Sequence, residues 1–160
     1  MISRTQAKLG LLLAPAVALA IGVWAEVVHL TPPVLFVVSV PVIAVSTISA
    51  AYIARPRAWP LALVLAGAAL GMMTFGLAEG THVAIHYARG GTLDFGDYHS
   101  RAAIAAGLIG VHLAAGAMVG AGVGVGLAVL YSATAVVVRR ATLREAQGHP
   151  SPSSREKGRG

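Results

Sequence analysis

The chain has 160 residues, of which 56% are hydrophobic and only 11% are charged, with a formal net charge of +6 and a mean hydropathy of +0.75. Soluble domains carry roughly 25% charged residues, so this composition excludes an ordinary water-exposed surface and favours helices that face lipid. Because the chain contains no cysteine, disulfides, thiolate metal sites and covalently attached c-type haem are excluded as well.

Four long apolar runs predict four membrane-spanning helices, since about 20 helical residues cross a bilayer core of about 30 Å. The runs lie at about 9–30, 34–54, 61–86 and 102–138. We therefore predict an all-α integral membrane protein, a four-span transmembrane helix bundle over residues 1–144 with long third and fourth helices. Residues 145–160 are rich in Ser, Pro, Gly and charge, a composition that predicts a disordered basic tail.

The fourth run is unusual because its residues 102–138 carry no formal charge. A break near Gly120–Gly126 would leave two marginal spans and would move the basic C-terminus to the other side of the membrane. One long helix is favoured. It would be about 55 Å long, so its first turns are expected to project from the lipid or to tilt.

The basic residues predict the orientation, because loops that face the cytoplasm are enriched in Lys and Arg. Only Arg89 and Arg101 fall in the connection between the third and fourth spans. The ten other basic residues fall on the opposite side: Arg4, Lys8, Arg55, Arg57, Arg139, Arg140, Arg144, Arg155, Lys157 and Arg159. We expect an integral protein of the cell membrane with both termini in the cytoplasm. Since most of these residues flank apolar runs, a nucleic-acid partner is not expected.

An alternative concerns the N-terminus, where residues 1–20 have some features of a cleaved signal peptide. Arg4 and Lys8 would form its basic region, and Ala18 and Ala20 its small residues. The apolar run continues to Leu30, however, which is longer than the roughly 7–15 apolar residues of a signal peptide. An uncleaved first span is favoured.

Ionisable residues gather at one level of the predicted bundle, near the non-cytoplasmic boundary. At 1.5 Å per helical residue, each lies about 27–44 Å from the nearest cytoplasmic base. Glu79, His82 and His86 share one helical face through i, i+3 and i+7 spacing, and Glu26 and His29 repeat the i, i+3 relation. The full set comprises Glu26, His29, Glu79, His82, His86 and His112.

Two histidines at i, i+4 on one helix can bind a metal ion together, so His82 and His86 are the first candidate ligands. His29 or His112 would supply a further imidazole, and Glu79 or Glu26 a carboxylate beside or behind the metal. Imidazole and carboxylate without thiolate suit Zn, Cu(II), Fe or Ni. The predicted metal ligands are therefore His82, His86, His29, Glu79 and Glu26.

Haem b is the alternative cofactor, since it needs two imidazoles from facing helices at matched depth. His29, His82 and His112 are the candidate haem ligands, with small residues around His112 leaving room for the macrocycle. A di-iron carboxylate site is disfavoured. Two helices carry Glu-x-x-His, but the second and fourth spans provide no acid.

These patterns predict a membrane subunit that binds a transition metal or haem at the extracytoplasmic boundary, as a redox or metal-handling component. The sequence supports binding better than catalysis, because it has no nucleophile motif and no phosphate loop. The alternatives are a non-catalytic structural or assembly subunit and a small transporter component. The expected partners are the lipid bilayer and either other membrane subunits or a second copy.

Gly116 and Gly120 predict a helix-packing face.

Overall fold

The computed structural model describes residues 3–28, 32–54, 59–91 and 100–148. It contains four α-helices: α1 (Arg4–Val28), α2 (Pro32–Ala54), α3 (Trp59–Ala88) and α4 (Arg101–Gly148). Each helix is long and apolar enough to cross a membrane. This confirms the predicted all-helical fold with four apolar helices, and the third and fourth are the longest, with 30 and 48 residues.

Local sequence signals define the helix ends. At the start of α1, the Ser3 backbone amide donates to Gln6 Oε1 at 2.8 Å and the Gln6 amide donates to Ser3 Oγ at 3.2 Å, a reciprocal capping box. After α3, Gly90 adopts a positive φ of 79°, and the Gly91 amide bonds the His86 carbonyl at 3.0 Å. Glycine is favoured there because a side chain would strain this left-handed conformation. The α3 helix therefore ends directly after its histidines.

Small residues on α1 let this helix pack closely on both α2 and α3. Ser46 Oγ of α2 donates to the Gly10 carbonyl at 2.8 Å, so α1 and α2 lie side by side. Further along, a Cβ at Gly22 would lie only 2.6 Å from Thr81 Cβ of α3. Between these two levels, Ala14 of α1 packs with Val42 of α2 and Leu70 of α3. As the chain advances along α1, its contacts therefore move backward along α2 and forward along α3, which makes α1 antiparallel to α2 and parallel to α3.

Glycines also bring α3 and α4 into backbone contact. A Cβ at Gly120 would overlap the Gly67 carbonyl, and one at Gly116 would overlap the Gly71 carbonyl. Gly124 continues the series beside Leu63, where its Cβ would lie 2.6 Å from Val64 Cα. The predicted packing face is therefore present, with a glycine pair on α3 opposite a glycine triplet on antiparallel α4.

Two compact units divide the chain at Ala128. In the first unit, Ala128 packs with Leu63 and Ala51 near the start of α3. The second unit contains the last part of α4, where every side chain at 129–143 is exposed. The contacts of α4 with α3 in the described part of the chain therefore lie at or before Ala128. The helix also runs into the start of the predicted tail, and residues 149–160 lie outside the described part of the chain.

Candidate metal centre

The last turns of α3 carry the predicted polar stripe of Glu79, His82 and His86. Helical spacing places the three side chains on one face, as the sequence predicts. Opposite this face lies α1, where the missing side chain at Gly22 allows close approach to Ala78 and Thr81. Glu26 lies one helical turn beyond Gly22, so the same close packing brings its carboxylate against the α3 histidines.

Glu26 is the centre of this arrangement. Its Oε2 atom lies 3.3 Å from His82 Nε2 and 3.3 Å from His86 Nδ1. One ligand atom from each of the three residues lies within 4.8 Å of the other two. We call Glu26, His82 and His86 the triad. Its donor atoms converge from two helices, and Glu26 and His86 are 60 residues apart in the chain.

The spacing within the triad suits a metal ion. In a tetrahedral site with metal–ligand bonds of about 2.0–2.1 Å, neighbouring ligand atoms are about 3.3–3.4 Å apart. Both distances from Glu26 Oε2 have this value. The donor set of two imidazoles and one carboxylate occurs in catalytic zinc sites, which keep a fourth position for water. The same set holds non-haem Fe(II) in oxygenases.

Glu79 lies behind the triad rather than within it. Its Oε1 is 3.7 Å from His82 Nδ1, the ring nitrogen that faces away from Glu26, and its Oε2 is 3.6 Å from His112 Nε2. Carboxylates commonly face the far nitrogen of a metal-binding histidine, where they orient the ring and make it a better ligand. Glu79 thus occupies the place of an orienting group, which is one of the two roles that the sequence predicts for it, beside or behind a metal ion.

His112 joins the cluster from α4 but does not reach the triad. Its Nδ1 donates to the Leu108 carbonyl at 2.9 Å, one turn earlier on the same helix. This bond leaves Nε2 facing Glu79. The sequence predicts His112 to lie at the same level as Glu79 and His82, and their contacts in the structure agree with that level.

The two carboxylates are largely buried, with 12% of the Glu26 side chain and 14% of the Glu79 side chain exposed. Carboxylates are costly in an apolar bundle unless partners satisfy them, and here the partners are imidazoles. Arg89 also approaches Glu26, at 3.9 Å, but 61% of its side chain is exposed. The cluster thus combines carboxylates with imidazoles, the donor types that bind transition-metal ions.

Two contacts of the cluster are not anticipated by the sequence reasoning. Arg89 pairs with Glu26 instead of serving only as a loop charge. Gly91 lies so close to the His86 ring that a Cβ there would overlap it. The Gly90–Gly91 pair directly after a long helix is the sequence signal for this turn, since glycines end helices by folding the chain back.

The remaining predicted residues are placed differently. His29 lies outside the described residues, as do the loop acids Asp94 and Asp97. The histidine pair proposed for haem within the described chain, His82 and His112, is separated by Glu79, which faces a ring nitrogen of each. The part of the cluster that converges on one point is therefore the triad.

Comparison with known proteins does not place this chain in a family. No protein-family model matches it, and neither the curated proteins nor the solved structures provided a match. The geometry of the polar cluster is therefore the basis for a functional proposal.

Proposed function

We propose that this is a multi-pass membrane protein that binds one transition-metal ion through Glu26, His82 and His86, as a redox or metal-handling subunit. The observation that carries the proposal is the position of Glu26 Oε2, 3.3 Å from an imidazole nitrogen of each histidine. Glu79 orients His82 from behind, and the fourth position is filled by water or by the species handled. Zn, Fe and Cu(II) are the ions that such donors suit.

The proposed site lies at the non-cytoplasmic boundary of the membrane, with both termini in the cytoplasm. Tyr and Trp are enriched at the two water–lipid interfaces of membrane proteins. Trp24 and Tyr87 occur near the triad residues of α1 and α3, whereas Tyr52 and Trp59 occur at the opposite ends of α2 and α3. This distribution supports two interfaces, and the excess of basic residues at the second end supports its assignment to the cytoplasm.

A single metal ion agrees with the cluster better than haem b. His82 and His86 are one turn apart on the same helix, so they cannot ligate opposite faces of one macrocycle. Haem held by His82 and His112 would have to displace Glu79, which faces a ring nitrogen of each. An ion at the triad requires no such displacement, because Glu26 already lies between the two donor nitrogens.

The test is metal binding by the protein purified in mild detergent, stripped of metal and titrated with Zn²⁺ or Co²⁺. We expect one ion per chain and a Co²⁺ absorption spectrum of tetrahedral intensity. Replacement of both triad histidines (His82→Ala with His86→Ala) should abolish binding, because only one ligand remains. Glu79→Gln should weaken binding by about 10- to 100-fold, the effect typical of losing an orienting carboxylate.

His112→Ala is the matched control, since it removes an imidazole from the same cluster but not from the triad. We expect it to change the affinity by less than about threefold. A Soret band in the purified protein that disappears in this variant would instead establish the haem alternative. Stoichiometric Zn²⁺ retained by the double histidine variant would refute the triad. A wild-type protein that binds no metal would favour a structural or assembly subunit whose polar residues contact a partner.

A further inference from the structure

A second polar site lies at the other end of the bundle, between the first turns of α1 and the last turn of α2. It is a cavity of about 200 Å³ lined by Arg4, Lys8, Tyr52 and Ile53. This is well above the roughly 10–15 Å³ that one water molecule needs, so the space has room for a group larger than a single water. The cavity is remote in sequence from every residue of the triad.

The described lining of the cavity carries two cationic side chains. Arg4 and Lys8 are i, i+4 on α1 and therefore lie on one face of the helix. Within the described ranges, no acidic side chain forms an ion pair with either of them. The start of α1 adds to the positive potential, because the N-terminal end of a helix carries a partial positive charge.

The walls of the cavity are held in place by packing on both sides. The capping box of Ser3 and Gln6 fixes the first turn of α1, on which Arg4 lies. The buried hydrogen bond from Ser46 to the Gly10 carbonyl fixes α1 against α2 next to the cavity. Arg4 and Lys8 therefore project from a helix that is packed against α2, and not from a free chain end.

We propose that this cavity binds a phosphate group, with Arg4 and Lys8 pairing to its oxygens. The phosphate is supplied by the headgroup of an anionic phospholipid or by free inorganic phosphate. Arg suits phosphate because its planar guanidinium donates two parallel hydrogen bonds, and Lys adds a compact charge. Tyr52 provides an aromatic wall at the depth where tyrosines meet headgroups. The inference depends on membrane insertion but not on the metal ion.

The test is retention of phosphatidylglycerol against phosphatidylcholine, measured by native mass spectrometry of the protein in detergent with each lipid added. We expect the wild type to prefer phosphatidylglycerol. Arg4→Gln with Lys8→Gln should lower that affinity by about 30-fold, equivalent to about 1 kcal/mol for each cation. The control, Arg139→Gln with Arg140→Gln, removes the same charge from α4 and should change the affinity by less than about threefold.

A second variant is needed because Arg4 and Lys8 also orient the first helix, so their replacement can change membrane insertion as well as phosphate binding. Ile53→Trp fills the cavity and keeps both cations, and should weaken phosphatidylglycerol binding by about tenfold. Titration with inorganic phosphate alone forms the other arm. If phosphate binds with the same dependence on Arg4 and Lys8, and phosphatidylglycerol binds no tighter, free phosphate is the ligand. Equal losses in the two double variants, or no loss in either cavity variant, would overturn the proposal.

Discussion

Hydroxyl side chains are buried at several points inside the helix bundle, and their partners differ. Ser46 Oγ donates to the Gly10 carbonyl at 2.8 Å and so links α2 to α1. Thr47, the next residue, is fully buried, and its hydroxyl has no hydrogen-bond partner among the described residues. Neighbouring hydroxyls of equal burial should therefore contribute to stability with opposite signs.

The pair Ser46→Ala and Thr47→Val tests this difference. Ser46→Ala should lower the free energy of unfolding by about 0.5–1.5 kcal/mol, the usual net contribution of one hydrogen bond. Thr47→Val keeps the shape of the side chain and removes an unsatisfied group, so stability should be unchanged or rise by up to about 1 kcal/mol. Unfolding in mixed detergent micelles measures both. Greater destabilisation by Thr47→Val than by Ser46→Ala would show that the Thr47 hydroxyl is satisfied.

The carboxylate of Glu26 is largely buried, and the groups that it contacts make this residue important. From α1 it faces two imidazoles of α3 and the guanidinium of Arg89. The sequence predicts the correct level of Glu26 in the bundle, but it ranks His82 and His86 above Glu26 as candidate metal ligands. Convergence on one oxygen of Glu26 depends on how the two helices are rotated, which hydropathy does not reveal.

At the scale of elements, α4 has two glycine faces with different surroundings. Gly116, Gly120 and Gly124 lie against the α3 backbone. Gly122 and Gly126 lie on the opposite side of the same helix, and no described atom lies within 4 Å of a Cβ built there. The sequence predicts a packing face at Gly116 and Gly120, and the structure adds Gly124 to it. Only these three bring helices together.

Alanine substitutions separate the two faces. Gly120→Ala places a methyl group 2.7 Å from the Gly67 carbonyl carbon, so α3 and α4 must move apart. Overpacking of this kind costs about 1–3 kcal/mol. Gly122→Ala meets open space and should raise stability by up to about 1 kcal/mol, because alanine favours helix more than glycine does. Thermal unfolding in detergent compares the two variants, and equal effects would contradict the assigned packing face.

At the scale of the whole molecule, the proposed topology puts the triad and the phosphate cavity on opposite sides of the membrane. The contacts support this separation, since parallel α1 and α3 carry the triad near their C-terminal ends and Arg4 and Lys8 lie near the start of α1. Antiparallel α4 contributes His112 at the triad end and reaches Leu63 at the other.

The natural absence of cysteine allows a direct test of this topology. Single cysteines at exposed positions (Ser3→Cys, Ala88→Cys and Ala141→Cys) can be treated in intact cells with a membrane-impermeant maleimide. Only Ala88→Cys should react from outside, whereas the other two should react after the cells are opened. Labelling of Ala141→Cys from outside would place the C-terminus with the triad and refute the proposed orientation.

The sequence by itself determines the four apolar helices, the polar stripe of Glu79, His82 and His86, and the common level of that stripe with Glu26 and His112. These properties follow from hydropathy and helical spacing, which are local. Only the tertiary structure decides that Glu26 meets both His82 and His86, while Glu79 stands behind His82. That arrangement depends on how the helices pack against one another. The packing is determined by residues on neighbouring helices, such as Gly22, whose missing side chain lets α1 approach α3 closely.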